Sequence, residues 1–225
     1  MKGKLIVIEG LDGSGKSTQE TLLKQKLSDM GVKVNFIKLP NYDDPACELV
    51  KMYLGGRFGK KAGDVNAYAA SSFFAVDRYV SYNCYWKNEY LNGEIFLADR
   101  YTTSNAYHQL TKTDKKDWDS YLEWLEDFEY GKMEIPKPDA VIYLDMPIEV
   151  SQKLMTGRYN GDESKKDIHE KDIEYLNSCR EAADYACNKL GWHRIKCSSN
   201  GEPLPVETIS AEILNVVIKE LEIDL

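Results

Sequence analysis

Eight consecutive residues, Gly10-Leu11-Asp12-Gly13-Ser14-Gly15-Lys16-Ser17, satisfy the pattern GxxxxGK[ST]. They follow a short apolar run, Leu5 to Glu9, and open a segment with helical spacing, Lys16 to Met30. The chemistry this allows is phosphate binding. The glycines let successive backbone N–H groups turn inward without Cβ clashes, and a helix beginning at Lys16 adds its positive dipole end. Lys16 places a point charge on β and γ phosphates, the Ser17 hydroxyl can ligate Mg²⁺, and Thr18 continues the turn. A glycine-rich turn of no consequence would not combine the glycines, Lys, Ser and the strand–helix context. The motif implies a nucleoside triphosphate such as ATP, without saying what is done with it. A guanine-reading NKxD string is missing, since Asn188-Lys189-Leu190-Gly191 lacks the Asp. A short chain with no second, helicase-like motif points to a small-molecule phosphotransferase.

Two further constellations could serve an acceptor. Asp99-Arg100 closes an apolar run, Ile95 to Ala98, where ligands sit in open parallel sheets. Asp99 can orient Mg²⁺ or its waters and Arg100 can fork onto a phosphate; alternatively the pair only caps a strand. Phe74 and Arg78 are four apart on a helical stretch and share a face, so they could stack a base and bond its edge. The competing reading puts Phe74 in the core and Arg78 in solvent.

The elements that must position these residues alternate strand and helix, the pattern of a parallel α/β sheet. Strands are expected at Leu5 to Glu9, Lys33 to Leu39, Ile95 to Ala98, Ala140 to Leu144 and Arg194 to Cys197. Helices are expected at Lys16 to Met30, Asp64 to Leu91, Lys171 to Leu190 and Val206 to Leu221. Val65, Ala69, Phe73, Val76 and Val80 form the expected core stripe of the long second helix, with Phe74 and Arg78 roughly 100° round from it. Gly55 to Gly63 and Gly157 to Asp167 read as loose, the latter as a surface lid or an inert loop.

Composition sets the bounds. A chain of 225 residues that is 43% hydrophobic fits a single domain, 1–225. The net charge of -8 argues against a nucleic-acid partner. Five scattered cysteines without a CxxC pair look like reduced thiols, and three distant histidines give no metal-ligand spacing. No run approaches a membrane span or a signal peptide, so a cytoplasmic location is expected.

Taken in order, Leu5 to Asp12 running into the phosphate loop, Phe74-Ala75-Val76-Asp77-Arg78, Asp99-Arg100-Tyr101-Thr102-Thr103-Ser104-Asn105, Pro136-Lys137-Pro138-Asp139 and His169-Glu170-Lys171-Asp172 resemble the thymidylate kinase family. The resemblance implies a P-loop NTPase-type α/β three-layer sandwich with a five-stranded parallel sheet and a short lid at about 157–169. It implies transfer of the γ-phosphate of ATP to dTMP, with Mg²⁺, in a homodimer paired through helices including the one that carries Phe74. Asp12 would hold the acceptor's 3′-hydroxyl, Phe74 would stack on thymine, Arg78 would donate to its O4, and Asn105, next to Ser104, would read the base edge. Arg100 would grip the 5′-phosphate with Tyr42 near it. Where the family has Ala-Ala-Tyr this chain has Ala106-Tyr107-His108, so the aromatic guarding the sugar is either Tyr107 or His108. The loop lacks the arginine some members carry, which leaves Arg158, beside Lys165 and Lys166, as the lid arginine. The alternatives are a kinase for another deoxynucleotide or deoxynucleoside, and a non-catalytic nucleotide-binding regulator.

Overall fold

The computed structural model describes residues 2–59, 61–158 and 173–223. Its centre is a parallel sheet of β1 (Lys4–Glu9), β2 (Val34–Lys38), β3 (Ile95–Asp99), β4 (Ala140–Asp145) and β5 (His193–Lys196), in the order β2-β3-β1-β4-β5. All five expected strands are present, with ends shifted by one residue or less. Their continuous apolar runs are what burial on both faces requires.

The period of two along β1 divides the core. Ile6 and Ile8 face one layer with Leu97, Ile142 and Leu144, covered by α1 (Lys16–Asp29) and α9 (Val206–Leu221) through Leu23, Leu27, Ile209, Ile213 and Val217. Leu5 and Val7 face the other layer with Phe96, Ala98 and Val141. On that side stand α3 (Ala67–Ser81), α4 (Lys87–Leu91), α5 (Thr102–His108), α6 (Trp118–Glu126) and α8 (Ile173–Leu190). A short α2 (Glu48–Leu54) follows β2, α7 (Ile148–Arg158) follows β4, and a small hairpin of β6 (Ser198–Ser199) and β7 (Glu202–Pro203) precedes α9. The three-layer expectation holds.

The long second helix is corrected. It starts at Ala67, where the Asn66 side chain accepts from the Ala69 N–H at 2.9 Å. A π-type turn, Tyr82–Trp86, separates it from α4. Its buried face is not the Val65–Val80 stripe but Ala67, Ala70, Ser71, Ala75 and Arg78, while Val76 is 39% exposed. Small residues let α3 approach closely where polar groups must reach inward, while Phe73 and Phe74 are half-buried against Tyr53, and Tyr68, Val76 and Tyr79 are exposed. All five cysteines are unpaired, with Cys84 alone exposed. The lid expected at about 157–169, including Lys165 and Lys166, lies outside the described residues from 159 onward, as does the side chain of Arg158 at the end of α7.

β1 is hydrogen-bonded to β3 on one side and β4 on the other, with Ile8 opposite both Asp99 and Ile142. The chain leaves β1 for a helix on one face and leaves β3 for a helix on the other. A crevice therefore opens beyond their carboxyl ends, where sheets of this class bind ligands.

Candidate active site

That crevice widens into a cavity of about 880 Å³. At one end lies the loop between β1 and α1. Gly10, Gly13 and Gly15 have φ of 153°, 77° and 92°, a region closed to most L side chains. At Gly13 the constraint is also steric, since a Cβ would meet the Met155 Cγ at 2.8 Å and the Ser151 carbonyl at 2.9 Å. Glycine here lets α7 press the loop into its curl. The Lys16 ammonium donates to the carbonyls of Gly10 at 2.8 Å and Leu11 at 3.1 Å, so it spans the loop mouth. Burial, reinforced by Arg100, pulls its pKa down to about 8 against the opposing pull of Asp12, Asp99 and Glu9.

Beside the loop, Arg100 leaves β3 with φ 67°, a left-handed backbone uncommon for a non-glycine residue. Its Nη2 donates to Asp12 Oδ1 at 2.6 Å, and its Nη1 to Tyr107 Oη at 3.2 Å and to His108 Nε2 at 3.3 Å. Burial pushes the Asp12 carboxyl up, but the charges of Arg100 and Lys16 hold it well below the usual carboxylate range.

Behind this pair Glu9 is wholly buried and gathers the start of α5. It accepts from the Tyr101 N–H, from the Thr103 and Ser104 hydroxyls at 2.6 and 2.9 Å, and from Tyr107 Oη at 2.7 Å. The strand end and the helix start are thereby joined as one rigid piece.

Asp99 sits 3.6 Å from Lys38 Nζ through one oxygen, while its buried Oδ1 has no hydrogen-bond partner among the described residues. Glu20, on α1, also has one buried oxygen without a partner there. Burial and then the Asp99 charge raise the Glu20 pKa to about 7. An unpartnered carboxylate oxygen suits a hard divalent cation, and Asp99 and Ser17 line the same cavity.

The other end of the cavity is lined by Tyr42, Tyr53, Leu54, Phe74, Arg78, Ser104 and Asn105. Phe74 presents its ring to the cavity with Tyr53 set edge-on behind it, centroids 6.0 Å apart. Arg78 is not in solvent: it is 3% exposed and forks onto buried Glu129, Nε to Oε2 at 2.6 Å and Nη2 to Oε1 at 2.5 Å. Burial alone would lower its pKa, but Glu129 raises it, so the cation is fixed. The Asn105 amide donates to the Ser71 carbonyl at 3.3 Å.

A sequence model described as thymidylate kinase matches residues 8–206. The chain belongs to the thymidylate kinase family. It is 28% identical over 184 residues to the thymidylate kinase of Mycobacterium tuberculosis, covering 81% of this chain and 84% of that one. It is 27% identical over 223 residues to that of Plasmodium falciparum, covering 97% and 91%. The solved structure of a Candida albicans thymidylate kinase superposes with a TM-score of 0.70 at 20% identity, over 98% of this chain and 93% of that one. The protein is thus a nucleotide-binding kinase with a P-loop NTPase-type fold, and ATP-dependent phosphorylation of dTMP is the reaction of its family.

Within this kinase the expected site residues divide by placement. The loop residues Asp12 to Thr18, Asp99, Arg100, Tyr42, Phe74, Arg78, Ser104, Asn105 and His108 meet around one cavity; Gly10 and Leu11 lie behind it and contribute their carbonyls to Lys16, with the Leu11 side chain turned into the core. Of the two aromatics after Asn105, His108 lines the cavity, whereas Tyr107 is fully buried beneath it on Glu9. His108 is therefore the alternative whose placement reaches the cavity. Sequence reasoning missed Glu9, Glu129, Tyr53 and Tyr175. Glu129 carried no local signal, because its partner Arg78 is 51 positions away. Glu9 offered one, an acid closing an otherwise apolar strand immediately before the loop.

Proposed function

We infer that this chain binds dTMP with its base on Phe74 and its 5′-phosphate on Arg100, and transfers to it the γ-phosphate of ATP held by the loop. The observation that carries the reading is the single cavity joining a phosphate loop to an aromatic–arginine pocket, with the Arg100–Asp12 pair at the seam. Lys16 neutralises the transferring phosphate, and Arg100 neutralises the acceptor so that two polyanions can meet in line. The acceptor phosphate is already an anionic nucleophile, so no general base is needed. Asp12, held ionised, offers an acceptor for a sugar hydroxyl. Arg78, on the cavity wall, presents a donor to a carbonyl edge, which favours a thymine-like base, while Asn105 directs its amide N–H groups to the Ser71 carbonyl and Glu129 and shapes the wall beside it.

Mg²⁺ fits Ser17 and Asp99, given oxygen donors and the unpartnered Asp99 Oδ1. When bound it screens the phosphate oxygens. Arg158 would add its charge from the end of α7. Homodimer formation is supported by Tyr68, Val76 and Tyr79, exposed at 43%, 39% and 43% along the outer face of α3. No helix among the described residues is long and apolar enough to cross a membrane.

The test is ADP release with and without dTMP. Turnover that needs dTMP and disappears in Lys16→Ala, with the circular dichroism unchanged, is the expected result. ATP consumption indifferent to dTMP would sink the proposal.

A further inference from the structure

The environment of His108 assigns it work that its place on the cavity wall does not reveal. Its ring stands between two groups of different chemistry. Nε2 faces Arg100 Nη1 at 3.3 Å, and Nδ1 faces Tyr175 Oη at 3.2 Å and Cys179 Sγ at 3.6 Å. A guanidinium only donates, so the nitrogen facing it must offer a lone pair. Nδ1 then carries the proton and donates it toward Tyr175, whose ring also stacks on the imidazole with an interplanar angle of 20°. Geometry therefore selects one neutral tautomer, and the residue on α8 selects it.

The consequence falls on Arg100. Nη1 has its two N–H groups directed at Tyr107 Oη and His108 Nε2, and Nη2 has one on Asp12. Among the described residues this leaves the Nε–H and one Nη2–H, enough for a two-point grip on a phosphate. A second carboxylate in place of His108 would also orient the guanidinium, but it would repel an incoming anion. A neutral acceptor orients it and leaves its charge available.

We propose that His108 is a positioning residue for Arg100, its Tyr175-fixed Nε2 lone pair aiming the guanidinium at the acceptor's phosphate. This rests on the reading of Arg100 as the phosphate grip, and the experiment separates the two. Binding of dTMP and of thymidine, which lacks the phosphate, is measured by calorimetry for wild type, Arg100→Ala and three His108 variants. In His108→Phe the stack on Tyr175 is kept and the lone pair is lost. Its dTMP affinity is expected to fall about tenfold more than its thymidine affinity, the scale of a hydrogen bond to a charged group. His108→Gln can place an oxygen where Nε2 stands and should recover most of the loss. His108→Asn reaches only the Nδ1 position and should not.

Arg100→Ala checks the underlying reading, because it should erase the preference for dTMP over thymidine. Should that preference survive, the phosphate grip is wrong and the proposal falls with it. Should Arg100→Ala erase it while His108→Phe binds dTMP like wild type, the proposal alone is overturned. Equal recovery by Asn and Gln would also overturn it, and this pair decides the matter if the Phe variant fails to fold.

Discussion

Removing the Glu129 carboxylate should cost this protein a large share of its stability, and the structure sets the scale. Glu129 is fully buried, and it pairs with an Arg78 that is 3% exposed through contacts of 2.5 and 2.6 Å. It also accepts from Thr102 Oγ1 at 2.9 Å. In Glu129→Ala the guanidinium stays largely desolvated at 3% exposure, and the arginine cannot lose its proton to escape. Leaving one member of a buried pair unmatched costs about 3–5 kcal/mol. Against a total stability of roughly 5–15 kcal/mol that is a fifth or more, or a melting temperature lower by about 6–20 °C in a chain of this size. Urea unfolding followed by fluorescence of the four tryptophans reads it directly, as a lower midpoint at constant slope. The double variant Glu129→Leu with Arg78→Met should recover most of the loss, since an apolar pair of similar volume suits the same space. A single variant within about 1 kcal/mol of wild type, or a double variant no better than the single, would refute the reasoning.

Phe74→Ala should weaken dTMP by about 1–3 kcal/mol while the KM for ATP barely moves, because the ring faces the cavity; a drop in urea midpoint with unchanged dTMP KM would mean that it only packs against Tyr53. The pKa of Lys16, lowered by burial to about 8, predicts that kcat/KM for ATP holds to that pH and then declines as the free enzyme loses the charge. A profile flat to pH 10 would contradict the placement of Lys16. Lys16→Ala should lose nearly all turnover yet keep its urea midpoint, since the loop backbone carries the fold there.

The sheet was legible because strands buried on both faces read as short apolar runs between breakers, as Leu5 to Ile8 and Ile142 to Leu144 do. The phosphate loop was legible because its glycines answer a local demand, the positive φ at Gly13 and Gly15. Misreading α3 had a physical cause. Its inward face serves the site, so it carries Ser71 and Arg78 among alanines, and Tyr68, Val76 and Tyr79 are left exposed. Helix α6 was overlooked although Trp118, Tyr121, Leu122 and Leu125 give the i, i+3, i+4, i+7 spacing of a buried face. The Arg78–Glu129 and Arg100–Asp12 pairs span 51 and 88 positions, and no local pattern reports a partner at that distance. Choosing between Tyr107 and His108 needed the helix phase of α5, which only its packing against α8 supplies.

The central claim is that one cavity aligns ATP with a thymine-bearing monophosphate. Initial rates of ADP formation at fixed ATP, with dTMP, dUMP, dCMP, dGMP and thymidine offered in turn, test it most directly. The account predicts the highest kcat/KM for dTMP, with dUMP below it, dCMP far lower for want of the O4 carbonyl, and thymidine inert for want of the phosphate held by Arg100. Thymidine or dCMP phosphorylated as well as dTMP would contradict it.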